Sequence, residues 1–249
     1  CPCSMSTFTE SANTALALIA SFDPVLWTVV GRSLAVSATA CAIACGLGLL
    51  AGAWLAVARF TGRDAVLTVL NTLLALPSVV VGLLVYLLLS RTGPLGALGW
   101  MFSFKAMVVA QVVLVLPVVT ALTRQVVEDA EKSHGEQLRS LGAHTAVRGL
   151  LLAWDERYAL LTVLIASFGR AISEVGAVMI VGGNIDGFTR VMTTAIALET
   201  SKGDLPLALA LGLILLAVVL LLNALISALR RWRERLDGGV AAPAPVLAS

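Results

Sequence analysis

A run of 24 residues without a charged side chain, PLALALGLILLAVVLLLNALISAL, occupies Pro206–Leu229. A helix needs about 20 predominantly apolar residues to cross the hydrocarbon core of a bilayer, so this segment is predicted to span a membrane. The whole chain has the same character, because 59% of its residues are hydrophobic and only 13% are charged, against about 25% charged in a typical soluble domain. The sequence therefore indicates an integral membrane protein. Its net charge of +2 is too small to suggest a nucleic-acid partner.

Four more apolar segments of sufficient length precede this run. The predicted spans are residues 33–58, 65–89, 106–123, 158–181 and 206–229. Together they form a transmembrane domain, 33–229, within an all-α polytopic membrane protein. Residues 1–32 are predicted to form a tail with an interfacial helix, and residues 230–249 a basic, disordered tail.

Three residues inside these spans predict local geometry. Gly48 and Gly52 are four positions apart, a spacing that allows another helix backbone to approach closely. Pro77 removes one backbone hydrogen bond and is predicted to kink the second span.

The basic residues are distributed unevenly between the two sides of a five-span arrangement. The side with segment 124–157 and the C-terminus carries eleven Lys and Arg residues, and the other side carries five. Cytoplasmic loops are enriched in these residues. The prediction is therefore a cytoplasmic C-terminus and an N-terminus outside.

Segment 124–157 is predicted to form two helices that meet at Gly142, with Thr145 capping the second. Its apolar residues recur at three- and four-residue spacings, as expected for one face of a helix. Such a face suits docking into a groove of a partner protein. The alternative is that it packs against the protein's own helix ends. The residues of this stripe are Leu138, Leu141, Val147, Leu150 and Leu151.

The same segment contains EQLRSLGAHTAVRGLLLAW, which resembles the conserved cytoplasmic loop of binding-protein-dependent ABC permeases. In that family a Glu-Ala-Ala run is followed, six residues after the Glu, by a Gly. Glu136 and Gly142 keep this spacing, whereas Gln137-Leu138 replaces the Ala pair and Asp155 stands where the family usually has Pro.

Three other stretches resemble tungstate permease subunits, and molybdate and sulfate permeases are similar to a lesser degree. The resemblance covers roughly residues 20–230. The three stretches are ALPSVVVGLLVYLLLSRTGPLG, FGRAISEVGAVMIVGGNI and TRVMTTAIALETSKGDLPLALALG.

The resemblance implies an ABC importer permease core in a bacterial or archaeal plasma membrane. The implied substrate is an oxyanion; tungstate is the first interpretation, and molybdate or sulfate is the alternative. Its implied partners are a dimeric ABC ATPase, an extracytoplasmic oxyanion-binding protein, a second copy of the chain and the bilayer. The sequence lacks GxxxxGK[ST], the loop that cradles phosphates, so we expect no cofactor on this chain and ATP hydrolysis in the partner. The implied ATPase-coupling residues are Glu136, Leu138, Leu141, Gly142, Ala143, Val147, Leu150 and Leu151.

The stretch SFGRAISEVGAVMIVGGN (Ser167–Asn184) places two charges in the fourth span. Arg170 and Glu174 are four residues apart and would share one face of a continuous helix. The favoured interpretation is an ion bridge that locks helices together, since pairing offsets part of the cost of burying charge. The alternative is that Arg170 lines a translocation pathway, supported by Ser173.

The end of this stretch also has two interpretations. Gly182, Gly183 and Asn184 form either an outer gate or a plain helix stop. No residues suggest catalysis, and His134 and His144 lack neighbours at metal-ligand spacing, so neither a catalytic nor a metal site is expected. The rival functional classes are an ion channel, a polytopic scaffold and an intramembrane enzyme.

Overall fold

The computed structural model describes residues 13–140 and 142–238, and every regular element within these ranges is helical. This confirms the all-α prediction. The helices are α1 (13–20), α2 (Pro24–Val57), α3 (Arg63–Leu74), α4 (Ser78–Leu89), α5 (Phe104–Ser140), α6 (Thr145–Asp155), α7 (Arg157–Ile172), α8 (Gly176–Gly182), α9 (Met192–Lys202) and α10 (Leu205–Gly238), with a 3₁₀ turn at Gly96–Leu98.

Three helices in the described ranges, α2, α5 and α10, are each long and apolar enough to cross a membrane. Two bent pairs, α3–α4 and α7–α8, meet the same criterion when each pair is taken as one span. The predicted count of five is reached in that way. The orientation of the bundle stays a prediction.

The α3–α4 pair bends by 102° between Leu74 and Ser78. Pro77 has no N–H to donate and disfavours helical geometry in the residue before it. Its carbonyl accepts hydrogen bonds from the N–H groups of Val80 and Val81, at 3.0 and 3.2 Å. The predicted kink is thus a complete break, with Pro77 at the start of a new helix.

The α7–α8 pair bends by 56° without any proline. The predicted fourth span, residues 158–181, is therefore built from two helices rather than one continuous helix. The hydroxyl of Thr193 donates to the carbonyl of Glu174 at 2.8 Å, which satisfies a backbone group exposed by the break. This bond comes from 19 residues further along the chain, so local sequence gives no sign of it.

Three other boundaries differ from the predictions. Helix α2 begins at Pro24 rather than near residue 33, because the Asp23 carboxylate accepts hydrogen bonds from the N–H groups of Val25 and Leu26, both at 3.0 Å. Helix α5 joins the predicted third span and the first polar helix into one 37-residue element. Helix α10 continues to Gly238, so the first part of the predicted disordered tail is helical. Residues 1–12 and 239–249 lie outside the described ranges.

The centre of the bundle is the contact between α2 and α5, and it depends on two glycines. A Cβ atom at Gly48 would lie 2.8 Å from Cγ1 of Val119, and one at Gly52 would lie 2.6 Å from the carbonyl oxygen of Thr120. The close approach predicted from their spacing is confirmed, and α5 is the helix that makes it.

We predict that Gly52→Ala destabilises the fold by roughly 1–3 kcal/mol, because the added methyl group meets rigid backbone. The measurement is the apparent melting temperature of the purified protein in detergent. Gly46→Ala is the matched control on the same helix, since a Cβ there meets no atom within 4 Å. Equal melting temperatures for the two variants would contradict this account of the helix contact.

Candidate coupling elbow and membrane-embedded arginine

Helices α5 and α6 meet in a tight turn that we call the elbow, residues 138–145. Gly142 has a φ of +74°, a conformation that L side chains rarely adopt. The N–H of Ala143 donates to the carbonyl of Leu138 at 3.1 Å. The predicted helix–Gly–helix arrangement is confirmed, but the cap is not: His144 precedes the first turn, and Thr145 is already helical. Leu141 lies outside the described residues.

One face of α6 packs against the bundle. Leu152 is buried in a cluster with residues of α2 and α5, and Leu138 packs against the same cluster. A Cβ atom at Gly149 would lie 2.8 Å from the carbonyl oxygen of Ala53. Leu138 therefore follows the alternative interpretation, packing on the protein's own helix ends.

The other face of α6 is apolar and exposed, and we call it the elbow surface. It comprises Val147, Leu150, Leu151 and Trp154, whose exposed fractions are 49, 64, 47 and 71%. Of the remaining predicted coupling residues, Glu136 is exposed and Ala143 is half-buried. Trp154 was absent from the predicted set, although its position four residues after Leu150 places it on the same face.

A single carboxylate ties the two helices of the elbow together. Glu131 on α5 is 11% exposed, and its Oε1 lies 2.7 Å from Arg139 while its Oε2 lies 3.2 Å from Nε of Arg148 on α6. The guanidinium of Arg148 also donates to the carbonyl of Val57 at 3.4 Å. A Cβ at Gly135 would lie 2.6 Å from Cδ of Glu131. Gly135 therefore leaves room for this carboxylate.

Sequence reasoning missed Glu131. Glu131, Gly135 and Arg139 follow one another at four-residue spacings. This pattern places a carboxylate and a guanidinium on one helix face, with a glycine between them that leaves space for the two side chains to meet.

The two broken helices meet each other inside the bundle. A Cβ at Gly176, the first residue of α8, would lie 2.9 Å from Oγ of Ser78, the first residue of α4. One turn further along α4, a Cβ at Gly82 would lie 2.7 Å from Cα of Ala177 on α8. Helices α4 and α8 therefore pack with their backbones in near contact, starting from the two breaks.

Arg170 and Glu174 do not form the predicted ion bridge, and that prediction is corrected. Helix α7 ends at Ile172, so Glu174 lies in the break rather than one turn above Arg170. Its Oε1 instead accepts a hydrogen bond from the N–H of Ala177 at 3.3 Å, in the first turn of α8. Ser173, at the same break, donates its hydroxyl to the carbonyl of Gly169 at 2.9 Å.

Arg170 consequently has an unusual position. It lies thirteen residues after Arg157 and twelve before Gly182, at the middle of the α7–α8 pair. Its side chain is exposed and forms no hydrogen bond or ion pair with any described residue. An arginine at the centre of a membrane helix costs on the order of 3 kcal/mol when lipid surrounds it. The guanidinium therefore requires polar surroundings that this single chain does not supply.

The predicted outer gate forms a hydrogen-bonded turn. Gly183 and Asn184 both have positive φ, +70° and +50°, which ends α8. The hydroxyl of Thr189 donates to the carbonyl of Gly182 at 2.6 Å, and Nδ2 of Asn184 donates to the carbonyl of Thr194 at 3.2 Å. This geometry matches the helix-stop interpretation; a gating role stays a prediction.

No group of three or more His, Cys, Asp or Glu residues in the described part of the chain is placed to hold a metal ion.

Comparisons with known proteins give a consistent result. The family model described as "Binding-protein-dependent transport system inner membrane component" matches residues 47–235. A tungstate uptake system permease protein of Peptoclostridium acidaminophilum is 40% identical over 230 residues, which is 91% of this chain and 99% of that protein. A probable anion ABC transporter permease protein of Haloferax volcanii is 41% identical over 218 residues, 86% of this chain and 93% of its own length. A putative molybdenum transport system permease protein of Bacillus subtilis is 30% identical over 190 residues, 73% of this chain and 84% of that protein.

We predict that Glu131→Gln loosens the elbow, because the amide is neutral and has one acceptor oxygen, so it cannot bond both Arg139 and Arg148. A hydrogen bond to a charged group is worth roughly 1.5–3 kcal/mol, so local opening should rise by about tenfold or more. Limited trypsin digestion of the purified protein measures this as faster cleavage after Arg139 or Arg148.

The control for this change is Asp129→Asn. Asp129 pairs with Lys132 on the exposed side of α5, where the two side chains are 76 and 70% exposed, and such pairs contribute little to stability. If both variants are cleaved at the wild-type rate, Glu131 does not hold the elbow.

Proposed function

The chain belongs to the family of binding-protein-dependent transport system inner membrane components, and we propose that it is the permease subunit of a tungstate importer. Members of this family are transport components of ABC systems, and this chain is a multi-pass protein of the plasma membrane and an oxyanion permease subunit. The observation that carries the choice of tungstate is the similarity to a tungstate uptake permease over nearly its whole length.

The elbow surface provides the docking site for the partner that supplies energy. Its four apolar side chains project from α6 at the end of the bundle that the excess of basic residues assigns to the cytoplasm. A helix that lays an apolar face into a groove is a common mode of protein recognition. The groove that receives the elbow surface belongs to a dimeric ABC ATPase, which binds and hydrolyses ATP. The permease itself then needs no cofactor.

The opposite end of the bundle, which carries the turn at Gly182–Asn184, receives the extracytoplasmic oxyanion-binding protein. A second copy of the chain completes the transporter, since each half of the membrane-spanning part of such an importer is normally formed by one permease chain. A symmetric dimer is the simplest arrangement.

The structure suggests how movement of the elbow reaches the membrane. Helix α5 runs without interruption from Phe104 to Ser140, and Glu131 links its last turns to α6. A displacement of the elbow surface by the closing ATPase pair is therefore transmitted along α5 and, through the glycine contact, to α2. Alternating access follows when this movement changes which side of the bundle is open.

The substrate assignment is tested by uptake into cells that lack other oxyanion importers and express this chain with its ATPase and binding protein. We expect ATP-dependent accumulation of labelled tungstate that excess sulfate does not suppress. Equal uptake of sulfate would defeat the tungstate assignment, and a clear preference for molybdate would favour the molybdate alternative. Passive flux without ATP would instead favour a channel.

The docking role is tested with Leu150→Glu, which places a charge at the centre of the elbow surface. We expect loss of ATPase copurification and of uptake, because the carboxylate would have to be desolvated in an apolar groove. Thr145→Glu is the matched control: it adds the same charge to the first turn of α6, where an acidic residue is favourable, and away from the apolar face. Normal copurification of the Leu150 variant would exclude this surface as the ATPase site.

A further inference from the structure

We propose that Arg170 faces a water-filled pathway between two copies of the chain and contacts the oxyanion during translocation. The inference rests on the proposed function and adds a residue that determines which charge can pass.

The first argument is the absence of other suitable surroundings. Arg170 is exposed on α7 and unpaired within the part of the chain that the structure describes. Lipid is an unfavourable environment for a guanidinium at mid-depth. Charged residues in membrane spans consequently face the interior of a bundle or a water-filled cavity, and they mark substrate and ion pathways.

The second argument comes from the break between α7 and α8. On a continuous helix Glu174 would lie within reach of Arg170 and neutralise it. The break instead places the carboxylate against the N–H of Ala177 at 3.3 Å. The positive charge of Arg170 is thereby left available for a partner that is not part of this chain.

The third argument is the shape of the helix face that carries Arg170. Helix α7 buries one side, with Leu160, Val163, Ser167 and Ala171, and Arg170 lies at the edge of that side, three residues after Ser167. On its other flank Arg170 has small side chains beside it, and the end of this face nearest the elbow lines a cavity of about 240 Å³ together with Tyr158, Val163 and Arg230. This cavity lies on the same side of α7 as Arg170 and closer to the predicted cytoplasmic end, although Arg170 itself does not line it. The small residues of this face are Ala159, Thr162, Ala166 and Ser173.

The charge balance also fits. In a symmetric dimer each copy contributes one guanidinium, and tungstate carries two negative charges. A planar guanidinium donates several hydrogen bonds to an oxyanion, yet one such group from each copy is a weaker trap than a fully enclosed site. Passage requires this intermediate strength, because a strongly held ion is not released.

The first test measures tungstate uptake by the complete transporter with Arg170→Gln and Arg170→Lys. We expect the Gln variant to transport about tenfold more slowly or worse, since hydrogen bonds to charged groups contribute at least that factor, and the Lys variant to keep part of the activity. Arg231→Gln is the control, because it removes one exposed arginine beyond the predicted fifth span. Wild-type uptake by the Gln variant would overturn the proposal.

Folding is part of the same test. Arg170 pairs with no described residue of its own chain, so we expect the Gln variant to be produced and to assemble as well as the wild type. If it fails to assemble, and Arg170→Glu with Glu174→Arg restores assembly, the arginine forms an ion bridge between the copies instead. Failure to assemble without such rescue also overturns the proposal.

A second measurement does not depend on activity. The Arg170→Cys variant is exposed to a membrane-impermeant anionic methanethiosulfonate in a chain with Cys1 and Cys3 changed to Ser; Cys41 and Cys45 are buried and serve as the unlabelled background. We expect labelling that saturating tungstate slows. Leu220→Cys is the control, since Leu220 is 68% exposed on α10 and should face lipid and remain unlabelled.

Absence of labelling in the Arg170→Cys variant would overturn the inference even if the wild-type transporter imports tungstate. Labelling that tungstate slows, in a transporter that accumulates sulfate equally well, would instead leave the oxyanion contact intact and remove only the choice of substrate.

Discussion

A peptide group in hydrocarbon has no water to bond with, so every interruption of a membrane helix must be satisfied by protein groups or must line a water-filled cavity. This constraint explains why the two breaks are placed where they are. At the α3–α4 break the Pro77 carbonyl accepts from two N–H groups of the following turn. At the α7–α8 break the Thr193 hydroxyl and the Glu174 carboxylate satisfy exposed backbone groups. The two breaks also adjoin each other, with Gly176 of one next to Ser78 of the other.

The features that sequence predicted well are those that local pattern determines. Composition and run length predict the membrane class, and Gly142 predicts the elbow because few other residues adopt its φ. The glycine pair on α2 predicts a close contact for a similar reason. In each case the prediction rests on an intrinsic property of the residues themselves, such as apolar side chains or the missing Cβ of glycine, which does not depend on residues distant in sequence.

The features that sequence missed depend on groups brought together by the fold. The break after Ile172 is bonded by Thr193 from a later segment of the chain. The Glu131 network needs Arg148, which lies on the other side of the elbow. The ion bridge between Arg170 and Glu174 was predicted wrongly for the same reason: spacing implies a shared face only if the helix continues. Exposure of the elbow surface could likewise be known only after Leu152 and Gly149 had defined the inward face of α6.

The α7–α8 break divides one membrane crossing into two halves that pack against different helices. The half formed by α8 is fixed to α4 through near-contact of their backbones at Gly82 and through the packing of Gly176 against the side chains of Ser78 and Val79. The half formed by α7 is fixed to α2 and α5 through Ala171 and its neighbours. Between them lie only Ser173, Glu174 and Val175, so rotation about a few backbone bonds is enough to change the angle between the halves. One end of the crossing can therefore tilt while the other keeps its packing.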